Sequence, residues 1–580
     1  MVGTRPARFR PAQRVLRCPI PMHPSRRVPN TFRQLLLASA LLAAAGCKSA
    51  AEQREDADKQ AYAILEQRRA ELALGEREFT IQPPLDSLRQ RMLRGEQVGR
   101  LGIAQFLDIA AENSRDYQRR KEDLYISALE LTLERFRFQL QYDGTLGALV
   151  NGDGDGADTV EGSGGAAFSR LLGTGASIVA DMGLSMARSV STGDSWELVG
   201  APFVSISQPL MRGFGERIVR EPLTQSERNV VYEIREFERF RRTFAVDVIN
   251  RYFQLLRTAD QVRNEQLNIE NLTVLRERNE ALAKAGRLSD IQADQARQDE
   301  LRSQSRLISA QERYGTALDD FKLFLGLPVD VPLEIEQEEL YALVIDESLT
   351  ISEGEALPAG LARRLDYMTS LDQLVDAERK LNIAADALRT RITVTASGSA
   401  VSTPNQPFEY SKNDLSWTLR ADIDLPLQLI AERNVYRAAL INVERARRSS
   451  EEFADRITSD LRASLRQAVT RRQTVEIQAG AVVLNERRIE SANLNLQAGR
   501  ASTRDILEAQ QALVDARNSL TSARVDYYLS QLALWRDMEL LRVEDQGLRF
   551  AREGLDPTAT DDVGSATEEQ GEAAAPQETR

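Results

Sequence analysis

Histidine is almost absent from this sequence. Its one copy is His23, and its only cysteines are Cys18 and Cys47. From Cys47 onward the chain holds no imidazole and a single thiol. A His/Cys metal site, a Cys–His pair and a Ser-His-Asp triad are therefore excluded there, as is an internal disulfide. Chemistry by carboxylates alone stays open. Aromatic residues are scarce at 6%, whereas charged residues reach 28%. That balance favours long helices with solvated faces over a compact mixed globule. No segment of the 580 residues approaches the ~18 uninterrupted apolar residues that a membrane helix needs.

Acids dominate what remains. The net charge is −12, and the first 46 residues hold eight arginines and no acid, so removing those eight leaves −20 for the rest. Nucleic acid is a poor partner for such a chain, because phosphate contacts need local positive charge. Later arginines interleave with acids and read as solvated helix faces. The N-terminus carries Arg33, an apolar run from Leu35 to Ala45, then Gly46-Cys47. The run suits a secretory signal core and is too short to span a bilayer. We expect residues 1–46 to be a signal peptide, with Met22 an alternative start. Gly46-Cys47 resembles a bacterial lipobox, which would make Cys47 a lipid anchor, although Ala44 stands where Leu is usual. The alternative is an ordinary thiol beside an Ala-rich cleavage site.

Two glycines interrupt long helical patterns. "ALAKAGRLSDIQADQARQDE" holds Gly286, and "LNLQAGRASTRDILEAQQAL" holds Gly499, 213 residues further on. That period is too long for a solenoid and points to two similar halves. Beyond Gly499, Ile506, Ala509, Leu513, Ala516, Leu520, Ala523 and Tyr527 recur at alternating spacings of three and four. Beyond Gly286, Ala293, Ala296, Glu300, Ser303, Leu307, Ala310, Tyr314, Ala317 and Phe321 do the same. Both are heptad seams, and their small residues permit close approach of a partner helix. The preceding stretch matches through Ile234, Phe237, Phe244, Val248 and Tyr252. Each glycine then marks the turn of an antiparallel helical hairpin, with helices over about 216–285, 288–325, 431–498 and 502–541.

Strands alternate with these helices. "LSWTLRADIDLPL" sets Leu415, Trp417, Leu419, Ala421, Ile423 and Leu425 against Ser416, Thr418, Arg420, Asp422 and Asp424. Strict period two gives one apolar and one charged face, which suits a membrane barrel strand or an amphipathic strand over a soluble core. "GASIVADMGLSMA" and "APFVSISQPL" read as extended, and "NGDGDGADTVEGSGG" as an acidic glycine-rich loop. About four strands per chain result, an even number per half. A membrane barrel needs at least eight, and a bilayer does not tolerate open sheet edges. The chain would therefore oligomerise, three copies giving twelve strands or two giving eight.

The order of elements from Leu101 to Leu541 resembles the TolC-like outer-membrane efflux family. "SQPLMRGFGERIVREPLTQSERN" is similar to its strand-to-helix passage through Gln208-Pro209-Leu210 and Gly213, and "IDLPLQLIAERN" repeats it at Pro426-Leu427. "LFLGLP", Leu323 to Pro328, resembles the end of the first hairpin, and Arg364 and Asp366 the helix opening the second half. The resemblance implies a mainly α chain with a membrane β-barrel contribution, long coiled-coil hairpins forming a tunnel, and a homotrimer. It also implies a channel from periplasm to exterior that works with a periplasmic adaptor protein and, indirectly, an inner-membrane pump, in contact with outer-membrane lipid. No cofactor or metal is implied.

By the same resemblance the hairpin tips, Gly286, Arg287, Leu288 and Gly499, Arg500, Ala501, would meet the adaptor. Asp505 and Glu508 would ring the periplasmic constriction, with Asp290 helping to latch it. Ala501 stands where the best-known member carries an arginine, and Asp290 lies two residues closer to its glycine. Read from the residues alone, Asp505 and Glu508 share a helical face, yet they also suit a helix start, where acids favour the macrodipole, Asp505 the more so. The expected layout is a lipid-anchored segment at 47–100, a first repeat at 101–330, an equatorial linker at 331–360, a second repeat at 361–545 and a disordered acidic tail at 546–580. The rival readings are a coiled-coil envelope lipoprotein without channel activity and a carboxylate-only periplasmic hydrolase.

Overall fold

The computed structural model of the chain describes residues 48–72, 79–84, 86–96, 99–152, 159–189, 195–343, 351–498, 500–544 and 547–551. The expected signal peptide, Cys47 and Gly499 lie outside the described residues. Two compact units divide at Lys59 and Gln60. In the first, Lys48 pairs with Asp56 on a solvated helical turn. Apart from residues 50–59 of the first helix, the elements below belong to the second.

Helices α1 (Ala50–Glu71), α2 (Leu88–Leu93), α3 (Ile103–Asn113) and α4 (Arg115–Phe136) lead into strands β1 (Gln141–Asn151), β2 (Thr159–Leu171), β3 (Ser177–Ser189) and β4 (Glu197–Pro209). A short α5 (Glu216–Val219) precedes the 64-residue α6 (Glu221–Lys284) and its return α7 (Asp290–Leu325). After α8 (Glu338–Tyr341) the order recurs: α9 (Glu353–Arg363), α10 (Leu365–Asp386), β5 (Arg391–Ala400), β6 (Leu415–Asp424), α11 (Ile430–Gln497) and α12 (Thr503–Asp537). Helices α3 and α9 both have 11 residues, and α4 and α10 both have 22. A hairpin of β7 (Leu541–Glu544) and β8 (Gly547–Phe550) ends the described chain, so ordered structure extends past the expected boundary at 545. Among the described residues no helix is long and apolar enough to cross a membrane.

The sheet corrects the expected strand count. Six strands, not about four, form one antiparallel sheet in the order β1-β2-β3-β4-β5-β6. Much of the stretch read as a loop, "TVEGSGG", is the start of β2. Glycine and serine gave it no apolar alternation, so period two was invisible. The ladder supplies that pattern. Tyr142 faces Phe168, Leu146 faces Gly164 and Val150 faces Val160. Ala166 faces Met182, Met182 faces Pro202, and Ile178 faces Ile206. Ile206 faces Ala396, and Ala396 faces Leu419. Because directly paired residues share a face, one apolar surface runs across all six strands. Asp143, Glu161, Asp181, Ser205, Ser397, Thr418, Arg420 and Asp422 lie on the other.

The helices close as their seams direct. Ile506, Ala509, Ala516, Ala523 and Tyr527 are buried, as are Ala296, Glu300, Ser303, Ala310 and Phe321. At 1.5 Å per residue, α6 spans roughly 95 Å. The largest core lies midway, where Phe106, Tyr252 and Phe321 meet with ring centroids 5.4 and 5.1 Å from Phe106. Trp535 is fully buried in the same cluster. Each such aromatic contributes roughly 1.5–3 kcal/mol by leaving water. The segment 331–336 is pinned there: Leu101 N–H donates to Glu334 O, Glu336 N–H donates to Leu101 O, and Tyr252 donates to Glu336 O at 3.0 Å.

Ion pairs join the halves. Arg228, Arg235 and Arg239 of α6 reach Asp376, Asp372 and Asp366 of α10 at 2.5, 2.5 and 3.2 Å. The strand-to-helix passage is held too. Gly213, at φ +80° where a side chain is disfavoured, donates its N–H to the buried Asp386 at 2.8 Å.

Candidate functional site: the hairpin tips

Each tip is built from a helix stop and a helix start. At the first, Gly286 has φ +70°, and no atom outside its neighbours lies within 4 Å of where a Cβ would sit. Conformation therefore calls for glycine, and crowding does not. Gly286 N–H donates to Ala283 O and Arg287 N–H to Leu282 O, both at 2.9 Å. This pair of bonds is the Schellman closure, which satisfies the orphan carbonyls of α6. At the second tip Arg500 N–H donates to Asn495 O at 2.8 Å, the same six-to-one bond. Arg287 and Arg500 are exposed; Leu288 and Ala501 are half-buried.

The starts differ. Ser289 caps α7 without a side-chain bond, and Asp290 follows it. Asp290 is exposed and has no side-chain hydrogen-bond partner among the described residues. Ser502 begins α12 with a capping box, its N–H and hydroxyl donating to Asp505 at 2.7 and 2.8 Å. Those two bonds hold the Asp505 carboxyl below its usual range. Asp505 therefore serves the helix start, the role that its position in the first turn favoured. Glu508, one turn further, is exposed and accepts from Arg504 at 2.8 Å. The two acids share one side of α12, at the exposed margin of the seam that buries Ile506 and Ala509.

The tips are tied to each other within the chain. Leu272 and Leu275 of α6 pack against Ile506 and Leu507 of α12. Beside them Asn279 donates to Thr503 at 3.1 Å, and both side chains are fully buried. Higher up, Asn264 donates to Asn518 at 2.8 Å and Thr521 to Asp260 at 2.7 Å. Within the first hairpin Asn268 donates to Ser303 at 3.0 Å. These rungs escaped the sequence reading. Their signal is asparagine on the helical seam, since Asn264, Asn268, Leu272, Leu275 and Asn279 continue the three-four spacing. Buried seam asparagines fix register at some cost in stability. A groove between α6, α7 and α12 is lined by Asn268, Gln295, Arg302, Arg504, Glu508 and Gln511. Among the described residues no cluster is placed to hold a metal ion.

The fold, a sheet with one apolar face joined to two long helical hairpins, is shared with solved structures of outer-membrane channel proteins. The chain is similar to CusC, whose structures follow folding and transmembrane channel formation, at 14% identity and TM-score 0.57, over 79% of this chain and 98% of that one. It is similar to the CmeC outer membrane channel of Campylobacter jejuni at 14% identity and TM-score 0.56, over 80% and 89%. The outer membrane protein VceC of Vibrio cholerae matches at 13% identity and TM-score 0.55, over 75% and 95%. No family model matches the chain, and no curated protein matches it by sequence. The TolC-like resemblance of the motifs is thus borne out as a shared fold.

Proposed function

We propose that the chain is the outer-membrane channel-tunnel component of an efflux or type I secretion system. It passes solutes or polypeptides from the periplasm to the exterior as a homotrimer. The carrying observation is the apolar face across β1 to β6, with Arg170 and Arg188 only towards its strand ends, backed by an acidic face and joined to the hairpins. A lipid-facing surface and a wet lumen require that alternation. The rival coiled-coil lipoprotein has no use for such a sheet. The recurring 11- and 22-residue helices support duplicated halves.

Assembly is supported by two open flanks. Helix α6 buries 22 of its 64 residues, whereas α11 buries five of 68. Ile430, Val435, Ile441, Val469, Ile477 and Leu484 of α11 are exposed. Helix α11 follows β6, so the uncovered helix continues the uncovered sheet edge. On the opposite flank Ile126, Leu133 and Phe136 of α4 are exposed beside β1.

In this reading Cys47 anchors the mature chain to lipid. Gly286, Arg287, Leu288, Gly499, Arg500 and Ala501 meet a periplasmic adaptor protein, and an inner-membrane pump acts through it. Asp505 and Glu508 crowd the entrance in three copies, with Asp290 beside them, and acid rings favour cations. Planar-bilayer recording tests the proposal. A cation-preferring conductance from the purified trimer is expected. Absence of current from the trimer, even with Asp505→Ala and Glu508→Ala together, refutes channel function.

A further inference from the structure

We infer that three copies close a barrel of eighteen strands, in which β1 of each copy pairs with β6 of the next. This rests on the channel reading above and adds the strand number, the partner edges and the width. Hairpin β1–β2 is what raises the number. It is no appendage to a smaller sheet: β1 and β2 share eleven paired positions, and β2 and β3 thirteen. The apolar and polar rows pass through it without a slip, so it faces the same two environments as the rest.

Both outer edges are prepared for one another. Among the described residues β1 and β6 are the ends of the sheet, each hydrogen-bonded on one side only. A bilayer does not tolerate such an edge. A sheet of six is too small to close on itself, since membrane barrels start at eight strands. With six antiparallel strands, β1 and β6 run in opposite directions, so edge-to-edge joining of two copies stays antiparallel. Their lengths match at 11 and 10 residues. The exposed apolar rows match as well, with Tyr142, Leu146 and Val150 on β1 and Leu415, Trp417, Leu419 and Ile423 on β6. Joining β6 to β1 continues one apolar surface around the ring.

The perimeter argues for eighteen. Strands about 4.8 Å apart and tilted ~40° give a perimeter of about 113 Å and a backbone diameter of about 36 Å for eighteen. Twelve would give about 75 Å and 24 Å on the same geometry. Each copy supplies four long helices, α6, α7, α11 and α12. Twelve of these at axis separations of ~8–10 Å make a wall about 96–120 Å around. The eighteen-strand ring meets that wall without a taper. The size limit on cargo then falls at the hairpin tips, and the sheet leaves a lumen wide enough for a polypeptide.

Disulfide trapping tests the pairing. Thr145→Cys on the polar face of β1 is combined in turn with Ser416→Cys, Thr418→Cys, Arg420→Cys and Asp422→Cys on that of β6. One combination should cross-link copies into a covalently closed trimer. A parallel series places Asp181→Cys or Ser185→Cys of β3 with the same β6 positions. Cross-links from β3 in place of β1, or closure at a dimer, overturn the eighteen-strand barrel. The unaltered protein in lipid nanodiscs gives a second readout by electron microscopy down the barrel axis. A ring near 36 Å is expected, and one near 24 Å refutes the inference while leaving channel conductance intact. Loss of conductance in the unaltered trimer would instead sink the channel reading.

Discussion

Thr503 is the position where a small change should open the entrance. Its hydroxyl accepts from the Asn279 amide at 3.1 Å, and neither side chain reaches water. The rung ties the start of α12 to the end of α6, one turn from the tips. Thr503→Val keeps the shape and removes the acceptor. The Asn279 amide is then left unpaired, and its Oδ1 already lacks a partner among the described residues. A buried unpaired amide costs about 1–3 kcal/mol. If opening separates the two helices and lets water reach Asn279, that cost falls on the closed state alone. The closed-to-open equilibrium then shifts by roughly 5–150-fold. Single-channel open probability at neutral pH reads the shift directly. Thr503→Ser retains the hydroxyl and should stay within a few-fold of the unaltered protein. Asn279→Leu combined with Thr503→Val removes both polar groups and should recover much of the closed population, because an apolar pair leaves nothing unsatisfied. Equal open probability in Thr503→Val and Thr503→Ser refutes the rung as a closing element. Cross-linking the two tips gives the converse test: with the second hairpin as the moving part, locked tips should abolish export.

Three further outcomes follow from named contacts. Gly326→Ala should lower the thermal midpoint, because φ is +76° and its Cβ would fall 2.1 Å from Asn113 O. The conformation alone costs about 1–2 kcal/mol, whereas Gly480→Ala, in open space within α11, should raise stability by roughly 0.5–1 kcal/mol. Asp376→Asn should cost roughly 1–3 kcal/mol in chemical denaturation, since it removes the buried carboxylate 2.5 and 2.9 Å from Arg228 and Arg379, which then rely on Asp372 and Glu221 alone. Burial pushes the Asp376 carboxyl up, but hydrogen bonds from Tyr232 and Gln225 and the two arginines leave it lowered. For Asp505 the lowered carboxyl is charged above the usual range and protonates only as pH falls through its depressed folded value. The difference in cation selectivity between the unaltered channel and Asp505→Asn should therefore stay constant from pH 7 to 5, and a difference that vanishes near pH 5 refutes the assignment.

The helical part was legible because its rules are local. Gly286 can be read as a turn since only glycine readily takes φ +70° there. Seam residues such as Ile506, Ala509 and Tyr527 announce their burial by spacing alone. The rungs were harder. Asn279 and Thr503 lie 224 residues apart, and no local pattern says that two polar residues on separate helices will meet. Asp505 was legible as a helix-start acid and as a candidate for the constriction, and its contact with Ser502 is that of a helix start.

The strand count failed for a reason that bears on the function. Alternation is a reliable signal where a strand must fill a core, because the inward residues need volume. A strand facing lipid has no such duty. Its outer residues need only be free of charge, and glycine or alanine meets that condition as well as leucine. Between Thr159 and Ala167 the outward row is Val160, Gly162, Gly164 and Ala166, and the inward row is Glu161, Ser163, Gly165 and Ala167. Neither row differs enough in hydropathy to show period two. Pairing with β1 and β3 makes the difference visible, since Leu146 lies beside Gly164 and Met186 beside Gly162 on the apolar side. The large residues of the neighbours cover the small ones of β2. Gly162→Asp and Gly164→Asp, on that outer row, should therefore block membrane assembly at roughly 2–4 kcal/mol or less per charge. Ser163→Asp, one residue over and on the polar face, should assemble normally. Equal assembly of all three variants would show that the sheet has no lipid side.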